Sequence, residues 1–367
     1  MQQRASADTA ATGKRAGERR AEAGRSADKP GGRHLTDTNI REHQVIEHLR
    51  SLVEAKTLWG FSLAFVNERK TFLSYDGVMG QIPPHDRLPV KAGLCYDLAS
   101  LSKVVGTASR IMQLVAEGAF TLDTPVKTLL PGFRHTYITV ENLLLHNSGL
   151  PAEIAAKQTL TRDNILDRLF QTEPVYEPGT RFIYSDVGYI LLGLIIKEGK
   201  GVPEKGSLEK SFKTHIFSPL NMAHTSFSVF DTQQCLPTEK TLQRGLICGQ
   251  VHDSKAWLLG ESGSAGLFST LEDMAAFAQA YLQEDPALFP PKIFRMIQET
   301  QVFGRTLGWS KEYGSHTLYH TGFTGTSMLI DRNRKEAMVL LTNRIHPARD
   351  NQKFLDERKK LNQLWLA

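Results

Sequence analysis

The stretch YDLASLSKVV, residues 96–105, places a serine and a lysine three residues apart at the predicted start of a helix. Apolar residues recur at every third or fourth position from Leu101 to about Glu117, which is the spacing of one face of an α-helix. Ser100 is therefore expected at the helix N-terminus, with Lys103 one turn further along the same face.

A serine and a lysine in this arrangement can form a nucleophile and its base. A serine hydroxyl needs a base within hydrogen-bonding distance, and a lysine can serve if burial or nearby positive charge keeps its amine neutral. Backbone N–H groups at the helix N-terminus would also stabilise an oxyanion. The simpler alternative is that Ser100 caps the helix while Lys103 extends into solvent, and the tetrapeptide alone favours that alternative.

Two further stretches favour the catalytic interpretation. In EPGTRFIYSDVGYILLG, residues 177–193, the triplet Tyr184-Ser185-Asp186 lies between a Pro-Gly turn and a helical apolar run. In YHTGFTGTS, residues 319–327, the triplet His320-Thr321-Gly322 lies on a predicted strand near the C-terminus.

With these three motifs in this order, the chain resembles the serine penicillin-recognising hydrolases, which comprise class C β-lactamases, D-alanyl-D-alanine carboxypeptidases and related esterases and amidases. The resemblance covers about residues 58–345 and includes the phrases FTLDTPVKTLLPGF, ITVENLLLHNSGLP and GLFSTLEDMAAF. The phrases VHDSKAW, HTGFTGTS and LLTNRIHP look most like the branch that contains exo-acting N-acetylmuramoyl-L-alanine amidases and β-lactamase-related esterases.

The resemblance implies a role for each motif residue. Ser100 would be the acylated nucleophile and Lys103 its activating partner. Tyr184 would deprotonate Ser100 or protonate the leaving group, and would later activate the hydrolytic water. The backbone N–H groups of Ser100 and Phe323 would form the oxyanion hole.

The remaining motif positions include two departures from the commonest family pattern. Thr321 and Gly322 would line the strand along which the substrate lies. Asp186 stands where the family often has Asn, and its carboxylate would attract Lys103 and favour the charged form of that lysine. His320 stands where penicillin-binding enzymes usually have Lys, so a fixed cation for a substrate carboxylate is missing unless His320 is protonated.

The rest of the chain predicts an α+β fold. FSLAFVNERKTFLSYDG (61–77) and TSMLIDRNRKEAMVLLTN (326–343) each form two strand-like runs about a polar turn, which indicates a β-hairpin near each end of the chain. Apolar periodicity predicts helices after residue 38 and over about 350–366, and the middle third is helix and loop. We expect a β-lactamase/penicillin-binding-protein-like fold: an antiparallel sheet flanked by helices, with an inserted helical lobe.

The predicted domain organisation is a tail followed by one hydrolase domain. Residues 1–37 contain too few large apolar side chains to order themselves, so they are expected to be a disordered tail or a leader. Residues 38–367 would form the hydrolase domain, with a sheet lobe at about 38–99 and 235–367 and a helical lobe at about 100–234.

Composition excludes several classes of protein. The net charge of +5 over 367 residues lacks the basic footprint of a nucleic-acid-binding protein. The three cysteines are widely spaced, which favours reduced thiols, and no motif for a metal or a nucleotide is present, so no cofactor is expected. The sequence has no run of eighteen apolar residues and no secretory signal, so we expect no integral membrane segment and a cytoplasmic location.

Three other polar motifs are expected to be structural. ESGSAG, residues 261–266, departs from a nucleophile elbow at its first position and is predicted to be a tight loop at the edge of the site. His252-Asp253 is predicted to make a structural hydrogen bond. His146 is predicted to be a structural histidine rather than a catalytic one.

The predicted function is that of a metal-free serine hydrolase that forms an acyl-enzyme at Ser100. Its substrate would be a small molecule or a short peptide with an amide or ester bond, either a cell-wall-derived muropeptide or a small carboxylic ester. The alternatives are a D-alanyl-D-alanine carboxypeptidase, a weak β-lactamase, and a non-catalytic module that binds muropeptides. The sequence leaves the oligomeric state open.

Overall fold

The computed structural model describes residues 37–229 and 231–367, and its largest sheet has five antiparallel strands. The strands of the described residues are β1 (Gly60–Asn67), β2 (Thr71–Gly77), β3 (Tyr96–Asp97), β4 (Lys240–Thr241), β5 (Gly245–Leu246), β6 (Phe268–Ser269), β7 (Thr317–Thr321), β8 (Ser327–Asp331) and β9 (Glu336–Thr342). The large sheet has the order β2-β1-β9-β8-β7. Both predicted hairpins are confirmed, and β1 pairs with β9 so that the two ends of the chain meet in one sheet.

Helices cover both faces of this sheet and fill the middle of the chain. The α-helices of the described residues are α1 (Asp37–Glu54), α2 (Ser109–Ala116), α3 (Val126–Leu129), α4 (Val140–Leu144), α5 (Ile165–Phe170), α6 (Asp186–Glu198), α7 (Leu208–Phe212), α8 (Ser254–Leu259), α9 (Leu271–Gln283), α10 (Pro291–Glu299) and α11 (Gln352–Leu366). Short 3-10 turns lie at Ala99–Leu101, Lys157–Thr159 and Thr232–Gln234, and π-helical turns at Lys103–Ala108 and Lys213–Phe217. The helices predicted near the two ends of the described chain are confirmed as α1 and α11.

The alternation of side chains along the strands creates two apolar layers. Phe61, Leu63 and Phe65 of β1 pack in one cluster with side chains of α1 and α11. Ala64 and Val66 point to the other face and belong to the larger core, which includes α9 and the central helices. Each large apolar side chain that is fully buried in these layers contributes roughly 1.5–3 kcal/mol to the free energy of unfolding.

A short strand pair holds the segment that carries Ser100. The two residues of β3 pair with those of β6, and the amide of Leu98 donates to the carbonyl of Leu267 (2.9 Å). On its other side the carbonyl of Leu98 accepts from the hydroxyl of Thr326 (3.0 Å), which follows β7. The Ser100 segment is therefore fixed between the sheet and the helices.

The helix predicted over residues 101–117 is not one regular helix. Its first turn is 3-10, residues Lys103–Ala108 are π-helical, and only α2 has α-helical hydrogen bonding. The hydroxyl of Ser109 donates to the carbonyl of Val104 (2.6 Å), five residues earlier, and so competes for a carbonyl of this turn. Apolar periodicity alone cannot separate these helix types, because a single widened turn hardly changes which side chains face the core.

The remaining sequence predictions concern the cysteines, a membrane helix, the tail, the lobe boundaries and the location. Cys95, Cys235 and Cys248 are free thiols in the structure. Across the described residues, no helix has both the length and the apolar character needed to cross a membrane. The predicted tail lies outside the described residues except for Asp37, which begins α1. The lobe boundaries and the cytoplasmic location stay predictions.

The close approach of the β7 end to the Ser100 segment requires glycine at position 322. A Cβ atom there would lie 2.1 Å from the Thr326 hydroxyl oxygen and 2.4 Å from the Leu98 carbonyl oxygen. We expect Gly322→Ala to lower the free energy of unfolding by about 1–3 kcal/mol, because backbone must move to relieve the overlap. Urea denaturation would measure the loss.

Gly188→Ala is the matched control, since its Cβ would make only an ordinary contact at 3.5 Å with Leu143. That substitution lies within α6 and is expected to be neutral or slightly stabilising. Equal stability of the Gly322 variant and the wild-type protein would contradict the packing described here.

Candidate active site

A cleft of about 580 Å³ opens between the end of β7 and the helical part of the chain. Ser100 lies at its floor. The cleft is lined by predicted site residues and by others that the sequence did not single out: Ala99, Ser100, Ala152, Glu153, Lys157, Tyr184, Asp186, His252, Asp253, Ser254, Ala265, Thr321, Gly322, Phe323, Arg344, Arg349, Leu355 and Arg358. Lys103 and His320 do not line the cleft, because both are buried behind its wall.

The Lys103 ammonium lies beneath Ser100 and has three close acceptors. Its Nζ is 2.9 Å from the Oγ of Ser100, 2.7 Å from the carbonyl oxygen of Ser264 and 2.8 Å from Oδ1 of Asp186. These three contacts match the three donors of an ammonium group. The side chain is fully buried, which contradicts the alternative in which Ser100 caps a helix and Lys103 extends into solvent.

The charge of Lys103 is set by two opposing effects. Burial alone would lower the pKa of its ammonium group, but the Asp186 carboxylate, together with the Tyr184 hydroxyl, outweighs burial and raises that pKa above its ordinary value. In the resting site Lys103 is therefore charged, as the carboxylate at position 186 leads one to expect. A proton must leave this cluster before Lys103 can accept one from Ser100.

Asp186 begins α6 and is held as a carboxylate by two lysines. The hydroxyl of Ser185 caps this helix by accepting from the amide of Gly188 (3.2 Å), so Asp186 sits in the first turn, where the helix dipole favours a negative charge. Burial would raise the pKa of Asp186, but Lys103 and Lys255 together lower it to about 2. The second of these lysines was missed in the sequence.

Tyr184 stands at the cleft wall with its ring fixed by stacking. Its ring lies on that of His146, with centroids 4.5 Å apart, and the Lys103 Nζ is 5.0 Å from the Tyr184 centroid. His146 Nδ1 accepts the amide of Ser185 (3.0 Å). Burial first, and the charge of Arg305 second, hold the pKa of His146 well below its ordinary value, so this histidine is a neutral structural support, as predicted.

His320 lies behind Tyr184 rather than in the cleft, with their ring centroids 6.1 Å apart. Its Nδ1 donates to the carbonyl of Thr321 (3.0 Å), and its Nε2 has no hydrogen-bond partner among the described residues. Burial, followed by the charges of Arg305 and Lys103, lowers the pKa of His320 well below 6.5. This direction favours a neutral His320, which would not replace the missing lysine cation.

Ser100 and Phe323, whose N–H groups form the predicted oxyanion hole, face the same cleft. Neither amide donates a hydrogen bond within the part of the chain that the structure describes. The residue before Ser100, Ala99, has φ +46°, in the left-handed region, and its amide donates to Asp97 Oδ1 (2.8 Å). The hydroxyl of Thr324 donates to the Asp97 carbonyl (2.7 Å), which fixes the two sides of the cleft to each other.

The three other polar motifs have the structural places that were predicted. Ala265 of the ESGSAG loop lines the cleft, and the same loop supplies the Ser264 carbonyl to Lys103. His252 Nε2 contacts Glu239 (2.8 Å). Asp253 accepts from the amide of Ala256 (2.8 Å) and caps α8. Within the described residues, no group of three or more His, Cys, Asp or Glu side chains is arranged to hold a metal ion.

Two sets of charged residues escaped the sequence analysis. Lys255, in VHDSKAW, is buried against carboxylates that are distant in the sequence. Arg344 and Arg358 face the cleft from the segment after β9 and from α11. No local pattern marks either set, because their partners and their burial depend on how separate segments meet.

Comparisons with known proteins match most of the chain. A family model described as Beta-lactamase matches residues 45–361. A protein of Escherichia coli (strain K12) named "Putative D-alanyl-D-alanine carboxypeptidase" is 32% identical, over 72% of this chain and 73% of its own length.

Solved structures also match over most of the chain. EstCE1, a hydrolase with promiscuous acyltransferase activity, superposes with a TM-score of 0.72 at 17% identity and covers 89% of this chain and 99% of its own. A class C beta lactamase superposes with a TM-score of 0.71 at 18% identity, covering 90% and 100%. These likenesses confirm the predicted α+β fold.

The neutral state of His320 has a consequence for stability at acid pH. Below pH 6.5, the ordinary pKa of histidine, the unfolded chain binds a proton at this residue that the folded chain does not, so the free energy of unfolding falls as the pH falls. We expect His320→Gln to reduce that slope by about 1.4 kcal/mol per pH unit below pH 6.5, with no effect on it above.

Urea denaturation at pH 5, 6, 7 and 8 would measure the slope for both proteins. His43→Gln is the control, because His43 is exposed on α1. An unchanged slope in the His320 variant would show that His320 takes up a proton in the folded protein.

Proposed function

The chain belongs to the beta-lactamase family and is a serine hydrolase, and we propose that it cleaves an amide or ester bond next to a substrate carboxylate through an acyl-enzyme at Ser100. The observation that carries the proposal is the 2.9 Å contact between the buried Lys103 ammonium and the Ser100 hydroxyl at the floor of an open cleft. A short peptide with a free terminal carboxylate, such as one that ends in D-alanyl-D-alanine, fits this description.

The acylation step follows from the arrangement of the site. After the cluster has released one proton and Lys103 is neutral, Ser100 Oγ attacks the substrate carbonyl carbon, and the hydroxyl proton passes through Lys103 and Tyr184 to the leaving amine or alkoxide. The negative oxygen of the tetrahedral intermediate accepts from the amides of Ser100 and Phe323. The C–N or C–O bond then breaks, the leaving group departs with the proton, and the acyl group remains on Ser100.

Deacylation reverses the proton path with water as the nucleophile. Water gives a proton to the Tyr184 and Lys103 pair as it attacks the ester carbonyl, and Ser100 Oγ recovers a proton when the acid product leaves. The Asp186 carboxylate keeps a positive charge next to Ser100 throughout the resting state. Lys103 and Asp186 are therefore the two fixed groups that prepare the nucleophile.

The preference for a carboxylate-bearing substrate rests on Arg344 and Arg358. Both guanidinium groups are at least nine-tenths buried, line the cleft, and have no carboxylate partner among the described residues. Burial first, and the charge of Arg358 second, lower the pKa of Arg344 to about 10. Burying two like charges side by side is unfavourable unless an anion completes the site.

The orientation of these arginines is fixed by neighbouring backbone. Arg344 donates to the carbonyls of Arg349 and Asn351, both at 3.3 Å, while its Nε has no partner within the described chain. Its guanidinium lies 4.9 Å from the ring centroid of Phe323, whose amide belongs to the oxyanion hole. A substrate carboxylate at Arg344 would therefore lie close to the bond that Ser100 attacks.

Two alternatives are less well supported. A small neutral ester would leave the arginine pair without an anion. A non-catalytic module for muropeptides has no use for a buried ammonium on the Ser100 hydroxyl, since that contact is hidden from a bound ligand. A weak β-lactamase activity stays open, because a β-lactam also carries a carboxylate next to a reactive amide.

Labelling with a fluorophosphonate tests the nucleophile. We expect one adduct on Ser100 within minutes, located by intact mass and peptide mapping, because the contact with Lys103 activates this hydroxyl. Ser100→Ala should give no adduct. Ser102→Ala is the control, since Ser102 is buried and its hydroxyl already accepts the amide of Leu267 (3.1 Å). A protein that stays unlabelled would contradict the proposal.

A matched pair of substrates tests the arginines. We expect a higher kcat/KM on an N-acyl-D-alanyl-D-alanine than on the same peptide with its terminal carboxylate converted to a methyl amide. Arg344→Gln should reduce that preference by about 10- to 100-fold, the value of one or two charge-assisted hydrogen bonds.

Arg349→Gln is the comparison variant, because Arg349 is more than half exposed and its guanidinium already contacts Glu239. Its effect on the preference should be smaller. If the wild-type protein hydrolyses the acid and the methyl amide equally well, the assignment of the arginines to a substrate carboxylate fails.

A further inference from the structure

Lys255 is a second buried lysine beside the catalytic cluster. It lies on α8, its side chain is 1% exposed, and its Nζ contacts three carboxylates. The distances are 2.7 Å to Glu153, 3.1 Å to Asp186 and 3.2 Å to Asp253. Nothing in the acylation scheme above uses this ammonium group.

The contact with Asp186 connects Lys255 to the nucleophile. Asp186 presents Oδ1 to Lys103 at 2.8 Å and Oδ2 to Lys255 at 3.1 Å. One carboxylate is therefore shared between two buried ammonium groups, and one of these groups touches the Ser100 hydroxyl.

We infer that Lys255 is a positioning residue of the active site: it holds the second oxygen of Asp186, divides the charge of that carboxylate between two lysines, and so sets how readily Lys103 releases its proton. The inference rests on the proposed function, in which Lys103 acts on Ser100. Lys255 itself touches neither the substrate nor the reacting atoms.

The other two carboxylates do not account for the burial of Lys255. Asp253 Oδ1 accepts from the amide of Ala256 and so caps α8, a role that does not require the lysine. Glu153 is 44% exposed and has another ammonium partner, Lys157, at 3.2 Å. Burying a lysine carries a desolvation cost, and the group that requires a cation at this depth is Asp186.

The direction of the effect follows from the charges around Lys103. The charged and titratable groups that face its ammonium come from several elements: Asp186 and Tyr189 on α6, Tyr184 before α6, His146 after α4 and His320 on β7. The charge of Arg305 acts on the two histidines. Both histidines are neutral. Lys255 is the cation that shares the Asp186 carboxylate with Lys103.

Removing the charge of Lys255 makes the potential at the cluster more negative. The pKa of Lys103 then rises, because Asp186 acts on it undivided. Lys103 therefore needs a higher pH to lose the proton that prevents it from acting as a base for Ser100. Removing the carboxylate of Asp186 has the opposite effect and lowers the pKa of Lys103.

The experiment is the rate of fluorophosphonate labelling of Ser100 between pH 5 and 10, which needs no knowledge of the substrate. Lys255→Gln removes the charge and keeps a donor for Asp186. The labelling rate should fall on the acid side of its pH profile, which is called the acid limb. We expect the midpoint of the acid limb to move to a pH about one unit higher. Asp186→Asn should move it down, and Lys255→Gln should have no further effect on the limb in the Asp186→Asn background.

Lys335→Gln is the control. It removes the same charge and also loses a contact with a carboxylate, Glu68 at 2.7 Å, but Lys335 does not line the cleft or touch Asp186. Its acid limb should coincide with that of the wild-type protein. A purely structural role of Lys255 would lower the melting temperature and the rate at every pH without moving the limb, and that result would overturn the inference.

A further variant keeps the test decisive if Lys255→Gln does not fold. Glu153→Gln changes a half-exposed side chain and removes a competing carboxylate 2.7 Å from the Lys255 Nζ. The Lys255 ammonium then interacts more strongly with the Asp186 carboxylate, so the acid limb should move to lower pH. This shift should disappear in the Asp186→Asn background. A limb that does not move would overturn the inference, whereas absence of any label on Ser100 would overturn the proposed function instead.

Discussion

The ion pair between Lys103 and Asp186 is the interaction on which the rest of the active site depends. A lysine that is fully buried would lose its charge unless a partner compensates for the lost hydration, and Asp186 supplies that partner at 2.8 Å. The pair fixes the ammonium where it can reach the Ser100 hydroxyl and the Ser264 carbonyl. The helix that begins at Asp186 thereby joins Ser100, the proposed nucleophile, to the helical part of the chain.

The sheet makes the complementary contribution by fixing the proposed oxyanion hole. Hydroxyls of Thr324 and Thr326 donate to the carbonyls of Asp97 and Leu98, so the end of β7 and the turn before Ser100 cannot separate without losing buried hydrogen bonds. Gly322 permits this close approach. Preorganised amides stabilise a developing charge because they need no reorientation during the reaction.

The sequence predicted the two hairpins, both terminal helices and the cleft residues at the three motifs, because these depend on local periodicity or on motif order. It could not predict that Lys255 shares Asp186 or that His320 is buried and neutral. Those features depend on packing between segments far apart in the chain. The π-helical turn after Ser100 also escaped detection, since its apolar side chains keep nearly helical spacing.

Carboxylates and cations occupy different ends of the cleft. The carboxylates of Glu153, Asp186 and Asp253 gather around the Lys255 ammonium. Lys103 and Lys157 supply the two further positive charges that balance them. The cations gather instead around Phe323, where Arg344 approaches the ring to 4.9 Å. Because His320 is neutral, the proposed substrate carboxylate would meet positive charge without a carboxylate partner on the Phe323 side, at Arg344 and Arg358, among the described residues. A peptide with one terminal carboxylate would therefore have a single favoured orientation, which would present its scissile carbonyl to Ser100.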